Sequence, residues 1–335
     1  MSTKNEFQLF SALRYDPLLL TSEENSKSYL NFVTPSPFYM LVYHRDRMVE
    51  AAQHFDFVGV ERRLSDGKAL HQDLLNEVNR WLEKGNQDVP LKLRVLFDNE
   101  ANMTIELTEI PKLPLSTLYP ATLDPPNKQS KPHPANTFTP SPLTGGVLTL
   151  GPNQSLPAAT SEPIPPPEWT IKLDTAPTPS SPFTLLKTTK REMYDASRTR
   201  ALPKNAASPA SAEVMLYNEV NELTEGTVTS LYLFRGGRWV TPPVGVPSGE
   251  FTASTLKSDS NGDEGELRRP FAGRWGHSVR SAKVGAGGQR GTSRRWALWK
   301  GFCMEEPVGV DTVEVGEGVW VSNGVRGFGY GRVVE

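Results

Sequence analysis

The apolar positions of the first hundred residues change period several times, and each change predicts an element. The dense apolar positions from Phe7 to Tyr15 predict a strand, and Phe38 to Tyr43 predicts another that runs into His44-Arg45-Asp46-Arg47. Beyond it Met48, Ala51, Ala52 and Phe55 recur at helical spacing, so this strand should hand over to a helix. Leu70, Leu74, Val78 and Trp81 mark one face of a second helix, with Ser65 or Asp66 as its cap and Gly85 just past its end. Leu91 to Phe97 and Met103 to Leu107, separated by Asp98-Asn99-Glu100-Ala101, predict a hairpin.

After Pro111 the pattern dissolves. More than half of the chain's 29 prolines fall between Pro111 and Pro182, among Ser, Thr, Asn and short apolar islands. Proline lacks the N–H that a helix interior or a central strand needs, so the stretch reads as an interdomain connection with a partly ordered insertion. Pro163-Ile164-Pro165-Pro166-Pro167 has no flanking basic anchor of the kind a proline-recognising partner would want. Beyond it, Thr184 to Lys187 predicts the end of a strand, and Thr189-Lys190-Arg191-Glu192 has capping-box form before a helix running towards Ala201. Val214 to Asn218, Val228 to Phe234 and Trp239 to Thr241 predict strands, the last two joined by the turn Arg235-Gly236-Gly237-Arg238. A polar, glycine-rich loop from Ser248 to Gly291 leads to a short helix, Ser293 to Lys300, closed by Gly301, and Val310 to Arg332 alternates strands with glycine turns. Three parts are expected: a small α+β domain over residues 1–117, a proline-rich linker or insertion over 118–180, and a larger domain over 181–335 with a loop insertion at about 248–288.

Composition narrows the function. A chain of 335 residues that is 37% hydrophobic can bury a substantial core. Its net charge of -2 gives no general field towards nucleic acid or an anionic membrane, so neither is an expected partner, and a small molecule is. With Cys303 alone there is no internal disulfide or cysteine metal cluster, and the five histidines show no ligand spacing, so no metal is expected. The only apolar run near the start, Pro17 to Leu20, is too short for an export signal or a membrane span, and a cytoplasmic location is expected.

Three local features could carry chemistry. Lys187 stands between a predicted strand end and a predicted helix start, where the positive end of the helix would lower its pKa towards a nucleophilic amine; an ordinary surface lysine is the plain alternative. Glu225 lies in a predicted turn followed by Thr227, Thr229 and Ser230, and would otherwise be a solvent-facing hairpin acid. The run Gly285-Ala286-Gly287-Gly288-Gln289-Arg290-Gly291-Thr292-Ser293-Arg294 opens a helix and could cradle a phosphate, or be a mobile glycine loop. It is no dinucleotide fingerprint, because no apolar strand precedes it and no lone acid follows at the right distance.

Taken in order, Leu186 to Arg191, Glu213 to Asn218, Leu223 to Tyr232, Trp239 to Pro243 and Gly291 to Arg294 resemble the successive motifs of the class IV aminotransferases. His44-Arg45-Asp46-Arg47 resembles the family's upstream histidine–arginine segment. Within that superfamily, Phe10-Ser11-Ala12-Leu13-Arg14-Tyr15-Asp16-Pro17 and Gly316 to Gly327 are similar to the fungal aminodeoxychorismate lyase branch. The resemblance implies an α+β, two-domain fold-type IV enzyme like the D-amino acid aminotransferases, with pyridoxal 5'-phosphate in the cleft between a small N-terminal α+β domain and a larger mixed β domain. It implies Lys187 as the Schiff-base lysine, Glu225 at the pyridine nitrogen, Arg47 with Thr292 and Ser293 at the phosphate, and Thr229 near the phosphate or the ring. Arg191 either approaches the ring hydroxyl or lies on a helix surface. A homodimer is implied as well. The reaction implied is a lyase step yielding 4-aminobenzoate and pyruvate; transamination of branched-chain or D-amino acids, or a catalytically inactive binding role, are the alternatives. Ser230 stands where many relatives have asparagine, and the insertion after Ser248, either a lid or a segment without fixed structure, replaces a shorter connection.

Overall fold

The computed structural model describes residues 7–125, 168–202, 211–244 and 287–335. Strand β1 (Leu9–Tyr15) is buried at almost every position, because it is covered on both faces. It pairs antiparallel with β2 (Leu91–Phe97), which pairs with β3 (Met103–Glu109); the alternating exposure of β3 marks it as the edge strand. Helices α1 (Leu41–His54), α2 (Val58–Leu64) and α3 (Gly67–Glu83) cover this small sheet, and Leu9, Leu13, Met48, Val60, Leu74 and Val95 fill the space between. Asp66 caps α3 by accepting from the amides of Lys68 and Ala69 at 2.9 and 3.0 Å, and Gly85 follows the helix with a φ of +84°.

Two readings of this region are corrected. Phe38 to Tyr43 is not a strand: Phe38 makes one bridge to Tyr15, and α1 already begins at Leu41. Phe38, Tyr39, Met40 and Leu41 are all fully buried, and a short apolar run enclosed on every side has no period by which strand and helix could be told apart. Helix α2 went unpredicted, since only Val60 and Leu64 of its seven residues are buried.

The second sheet has eight strands in the order β6-β5-β4-β11-β10-β7-β8-β9. They are β4 (Trp169–Leu173), β5 (Ala212–Tyr217), β6 (Leu223–Gly226), β7 (Ser230–Arg235), β8 (Arg238–Thr241), β9 (Met304–Glu305), β10 (Gly318–Asn323) and β11 (Gly327–Val333). β4 runs parallel to both β5 and β11. It lies inside the stretch expected to be linker: Pro177 and Pro179 extended that reading too far, whereas Trp169-Thr170-Ile171-Lys172-Leu173 contains no proline and is free to donate to both neighbours. Short helices α4 (Leu115–Leu118) and α5 (Pro182–Leu185), α6 (Glu192–Ala201), α7 (Thr292–Trp299) and the 3-10 turns Pro17–Thr21 and Val310–Thr312 complete the described elements.

The approach to Lys187 also differs from expectation. Residues 182–185 form a helical turn instead of a strand, and the capping box belongs here: Ser181 Oγ accepts from the Thr184 amide, and Thr184 Oγ1 from the Ser181 amide. Thr189 caps nothing; its Oγ1 accepts from the Gln8 amide at 2.9 Å. Met1–Leu123 and Glu168–Glu335 group into one compact unit. Asp124–Pro167 forms a second, which lies outside the described residues except at its first two positions, as does the loop insertion up to residue 286.

Gly331 of β11 faces β4 so closely that a Cβ there would meet the carbonyl oxygen of Trp169. Gly331→Ala must push the two central strands apart, and we expect it to lower the unfolding free energy by about 1–3 kcal/mol. A denaturant titration with an unchanged midpoint would contradict this packing.

Candidate active site

Between the small sheet and the mouth of the large one lies a cavity of about 490 Å³. Lys187 reaches it from an extended strap laid along β1: the Phe10 amide donates to the Lys187 carbonyl at 3.3 Å and the Thr189 amide to the Gln8 carbonyl at 2.9 Å, either side of a Leu9–Thr188 bridge. The lysine amine sits 5.1 Å over the Phe10 ring and donates to Gln289 Oε1 at 3.3 Å. Burial pushes it well below the usual lysine range, the guanidinium groups of Arg47 and Arg191 push the same way, and Glu225 opposes them. The expected cause, a helix start, does not apply, because α6 begins only at Glu192.

Glu225 is not a turn acid. It lies on β6, only 8% exposed, and its carboxylate accepts the Tyr194 hydroxyl at 2.7 Å and the Gln289 amide. Burial raises it to about 7, against the downward pull of those hydrogen bonds and of the Lys187 and Arg191 charges.

A third corner is rich in donors. Arg47 on α1 donates from Nη2 to Ser11 Oγ at 2.8 Å, and its Nε is buried with no partner. Burial lowers its pKa to about 10, while Glu225 acts to raise it. Ser11 Oγ also meets His44 Nδ1 at 2.8 Å, and His44 Nε2 lies 3.5 Å from Thr292 Oγ1 at the start of α7. Burial, with Arg47 and Lys187 adding to it, pushes His44 well below its usual range and keeps it neutral. The space is kept open by Gly324, where a Cβ would lie 2.5 Å from the His44 ring and 2.7 Å from Thr292 Oγ1.

Arg47, Lys187, Glu225, Thr229 and Thr292 therefore line one cavity, and Ser293 does not. Ser293 is fully buried, and its hydroxyl is bonded to Ser322 Oγ of β10 at 2.8 Å. Thr229 Oγ1 donates to Glu213 Oε2 at 2.7 Å. Arg191 donates to the Thr227 carbonyl at 2.9 Å and lies 4.6 Å from the Tyr194 ring centre. Three contributors escaped sequence reasoning. Glu213, fully buried, gathers the hydroxyls of Thr227 and Thr229 and the Val228 amide, so it shapes the turn beside the cavity. Tyr194 and Gln289 carry no periodicity or motif that marks them; for Gln289 the only signal was its place in the glycine run.

Five cations line the cavity beside the Lys187 amine (Arg47, Lys92, Arg94, Arg191 and Arg326), against two carboxylates, Glu106 and Glu225. Arg94 pairs with Glu106 at 2.9 Å. The excess favours an anionic ligand. An enclosed amine, a buried carboxylate and a corner with an unused guanidinium donor fit the aldehyde, ring nitrogen and phosphate of pyridoxal 5'-phosphate, and the volume is in the range of small-molecule sites.

The family model for amino-transferase class IV matches residues 140–249, a span that includes Lys187 and Glu225 but not Arg47 or Thr292. Over 123 residues the chain is 32% identical to a Schizosaccharomyces pombe protein named "Putative aminodeoxychorismate lyase"; the match covers 35% of this chain and 50% of that protein, so it spans half the length of the relative. Among solved structures, a fold IV-transaminase from Curtobacterium pusillum superposes with a TM-score of 0.51 at 10% identity, covering 98% of this chain and 79% of that one. A T.th. branched-chain amino acid aminotransferase, complexed with N-(5'-phosphopyridoxyl)-L-glutamate, does so with a TM-score of 0.51 at 10% identity, covering 98% and 76%. Residues 140–249 thus match the class IV amino-transferase model, and the chain has the fold of these solved structures. Among the described residues no helix is long and apolar enough to cross a membrane.

The raised pKa of Glu225 has a stability consequence. Between its ordinary value of 4.5 and about 7, folding takes up a proton at this side chain, so its contribution to stability falls as pH rises through that window. Glutamine does not ionise and escapes the loss. Cofactor-free Glu225→Gln should therefore melt above wild type at pH 8 and match it below pH 4.5; a gap independent of pH would contradict the burial of an ionisable carboxylate here.

Proposed function

We propose that this chain is a pyridoxal-phosphate enzyme that cleaves 4-amino-4-deoxychorismate to 4-aminobenzoate and pyruvate. The observation that carries the cofactor reading is the enclosed amine of Lys187 and the buried carboxylate of Glu225 on one cavity whose third corner is Arg47. In this reading Lys187 holds the cofactor covalently, Glu225 keeps its ring nitrogen protonated, and Arg47, Thr292 and the amides at the start of α7, that of Ser293 included, hold its phosphate. Thr229 supports the ring from the Glu213-bound turn. When bound, pyridoxal 5'-phosphate supplies an electron sink next to the substrate's amine.

The chain's own groups do the rest. Lys187, uncharged because of its enclosure, takes the proton from the amine-bearing ring carbon. The neighbouring carbon–oxygen bond to the enolpyruvyl group breaks, pyruvate leaves as its enol and regains a proton, and the ring becomes aromatic. No amino acceptor is consumed. The further cations that line the cavity, Lys92, Arg94 and Arg326, support a substrate with two carboxylates over an apolar amino acid. A cytoplasmic homodimer belongs to the same proposal.

After pyridoxal 5'-phosphate is added, borohydride should fix the label on Lys187, and Lys187→Ala should show no visible cofactor band; a label on another lysine would refute the site. Arg47→Ala should weaken cofactor binding by about 1.5–3 kcal/mol, the scale of a hydrogen bond to a charged group, read by retention on dilution. Purified protein should release 4-aminobenzoate and pyruvate from aminodeoxychorismate over many turnovers without a keto acid. Turnover of an amino acid that stops after one equivalent and resumes with 2-oxoglutarate, with aminodeoxychorismate untouched, would make it an aminotransferase.

A further inference from the structure

Gln289 connects the two titrating groups of the cavity. Its backbone N–H donates to the Glu225 carboxylate, its Oε1 accepts from the Lys187 amine at 3.3 Å, and its Nε2 donates to the Tyr194 hydroxyl at 2.9 Å. Tyr194 in turn donates to Glu225 Oε1 at 2.7 Å. These directions fit together in one way. A carboxylate accepts the phenol proton, the phenol oxygen then has only lone pairs to offer, and the amide must turn its nitrogen to Tyr194 and its carbonyl to the lysine. Gln289 is 7% exposed, so its links to Tyr194 and Glu225 are withdrawn from solvent, while the Lys187 end faces the cavity. The loop that delivers it needs glycine: Gly287 and Gly288 have φ of +86° and +84°, and a Cβ at Gly288 would lie 3.0 Å from the Thr224 carbonyl oxygen.

We propose that Gln289 is a positioning residue for the Lys187 amine, a neutral acceptor that holds the amine at the reaction centre whenever it is not covalently engaged, with its amide locked in orientation by Tyr194. The inference rests on the cofactor reading given above. A carboxylate in direct contact would hold the amine as an ammonium ion, useless as a nucleophile or base. A carbonyl supplies a hydrogen bond without a full charge, and the acid of the site is kept one relay away. The other groups facing the amine are Arg47 and His44 from α1, Arg191 ahead of α6, Tyr194 from α6, Glu225 from β6 and the Phe10 ring from β1.

The test follows the rate at which full-length protein forms its visible band with pyridoxal 5'-phosphate as pH is varied, with borohydride trapping and peptide mapping to fix the attachment at Lys187. That rate reports the free-amine fraction. Gln289→Leu removes an acceptor that favours the ammonium form and should move the midpoint down; Gln289→Glu adds a charge and should move it up. Each shift should be about one pH unit, a tenfold change in free amine at fixed pH. Tyr194→Phe, which frees the amide to rotate, should move it in the same direction as the leucine variant and by less. Opposite signs are the discriminating result, since general loosening of the site would move both Gln289 variants the same way. Unmoved midpoints, or shifts of one sign, overturn the inference while leaving the cofactor reading intact; absence of any band trapped at Lys187 in the wild type overturns the cofactor reading and the inference with it.

Discussion

The pairing of residues 187–189 with the edge of β1 is the contact on which the site depends. β1 is already satisfied by β2 along its other edge, so the strap takes up donors and acceptors that would otherwise be buried without partners. The same pairing fixes the lysine backbone to the small sheet, while α6 and β6, which follow it in the chain, build the opposite wall. An amine held on one sheet thus faces an acid held on the other, and the distance between them is set by main-chain geometry, not by flexible loops.

Two opposite charges placed in such an enclosure would collapse into an ion pair if nothing intervened. The fold prevents that with neutral or committed neighbours. Tyr194 and the Gln289 amide occupy the carboxylate, Arg191 is tied to the Thr227 carbonyl, and Glu213, the other deeply buried acid nearby, is consumed by the hydroxyls and amide of the Thr227–Thr229 turn. Desolvation then acts on both groups in the direction of neutrality, raising Glu225 and lowering Lys187. A charged ligand that re-solvates them is accordingly favoured on electrostatic grounds, which is the opposite of what a preformed salt bridge would offer.

Sequence reading singled out Lys187, Glu225, Arg47, Thr229 and Thr292, which line one cavity, because their motifs stand in a fixed order, and order survives when local structure is misread. Their settings were harder. Lys187 follows a helical turn because Ser181 and Thr184 form a reciprocal cap, a geometry that the apolar content of Leu185 and Leu186 concealed. Glu225 resembled a turn acid because Gly226 follows it, although that glycine serves β6, where a Cβ would strike Thr229 and Glu213. The Ser293 hydroxyl is bonded to Ser322, which leaves its amide as what it could offer a ligand at the start of α7. β4 was hidden by the prolines around it, and Gln289 because its side-chain partners, Lys187 and Tyr194, lie about a hundred positions earlier.

The position of β11 bears on how the molecule is made. It lies between β4 and β10, so without it the large sheet would be two separate sheets, β6-β5-β4 and β10-β7-β8-β9, each with a bare edge. Its parallel partner, β4, leaves the ribosome far earlier, and Arg14 of β1 donates to the Gly324 carbonyl in the turn just before β11. Both sheets therefore wait on the same late segment during synthesis. Contacts of such long sequence separation slow folding and leave unpaired strand edges open to other chains until they form. The growing polypeptide has most need of chaperone protection in the interval between the emergence of β4 and that of β11.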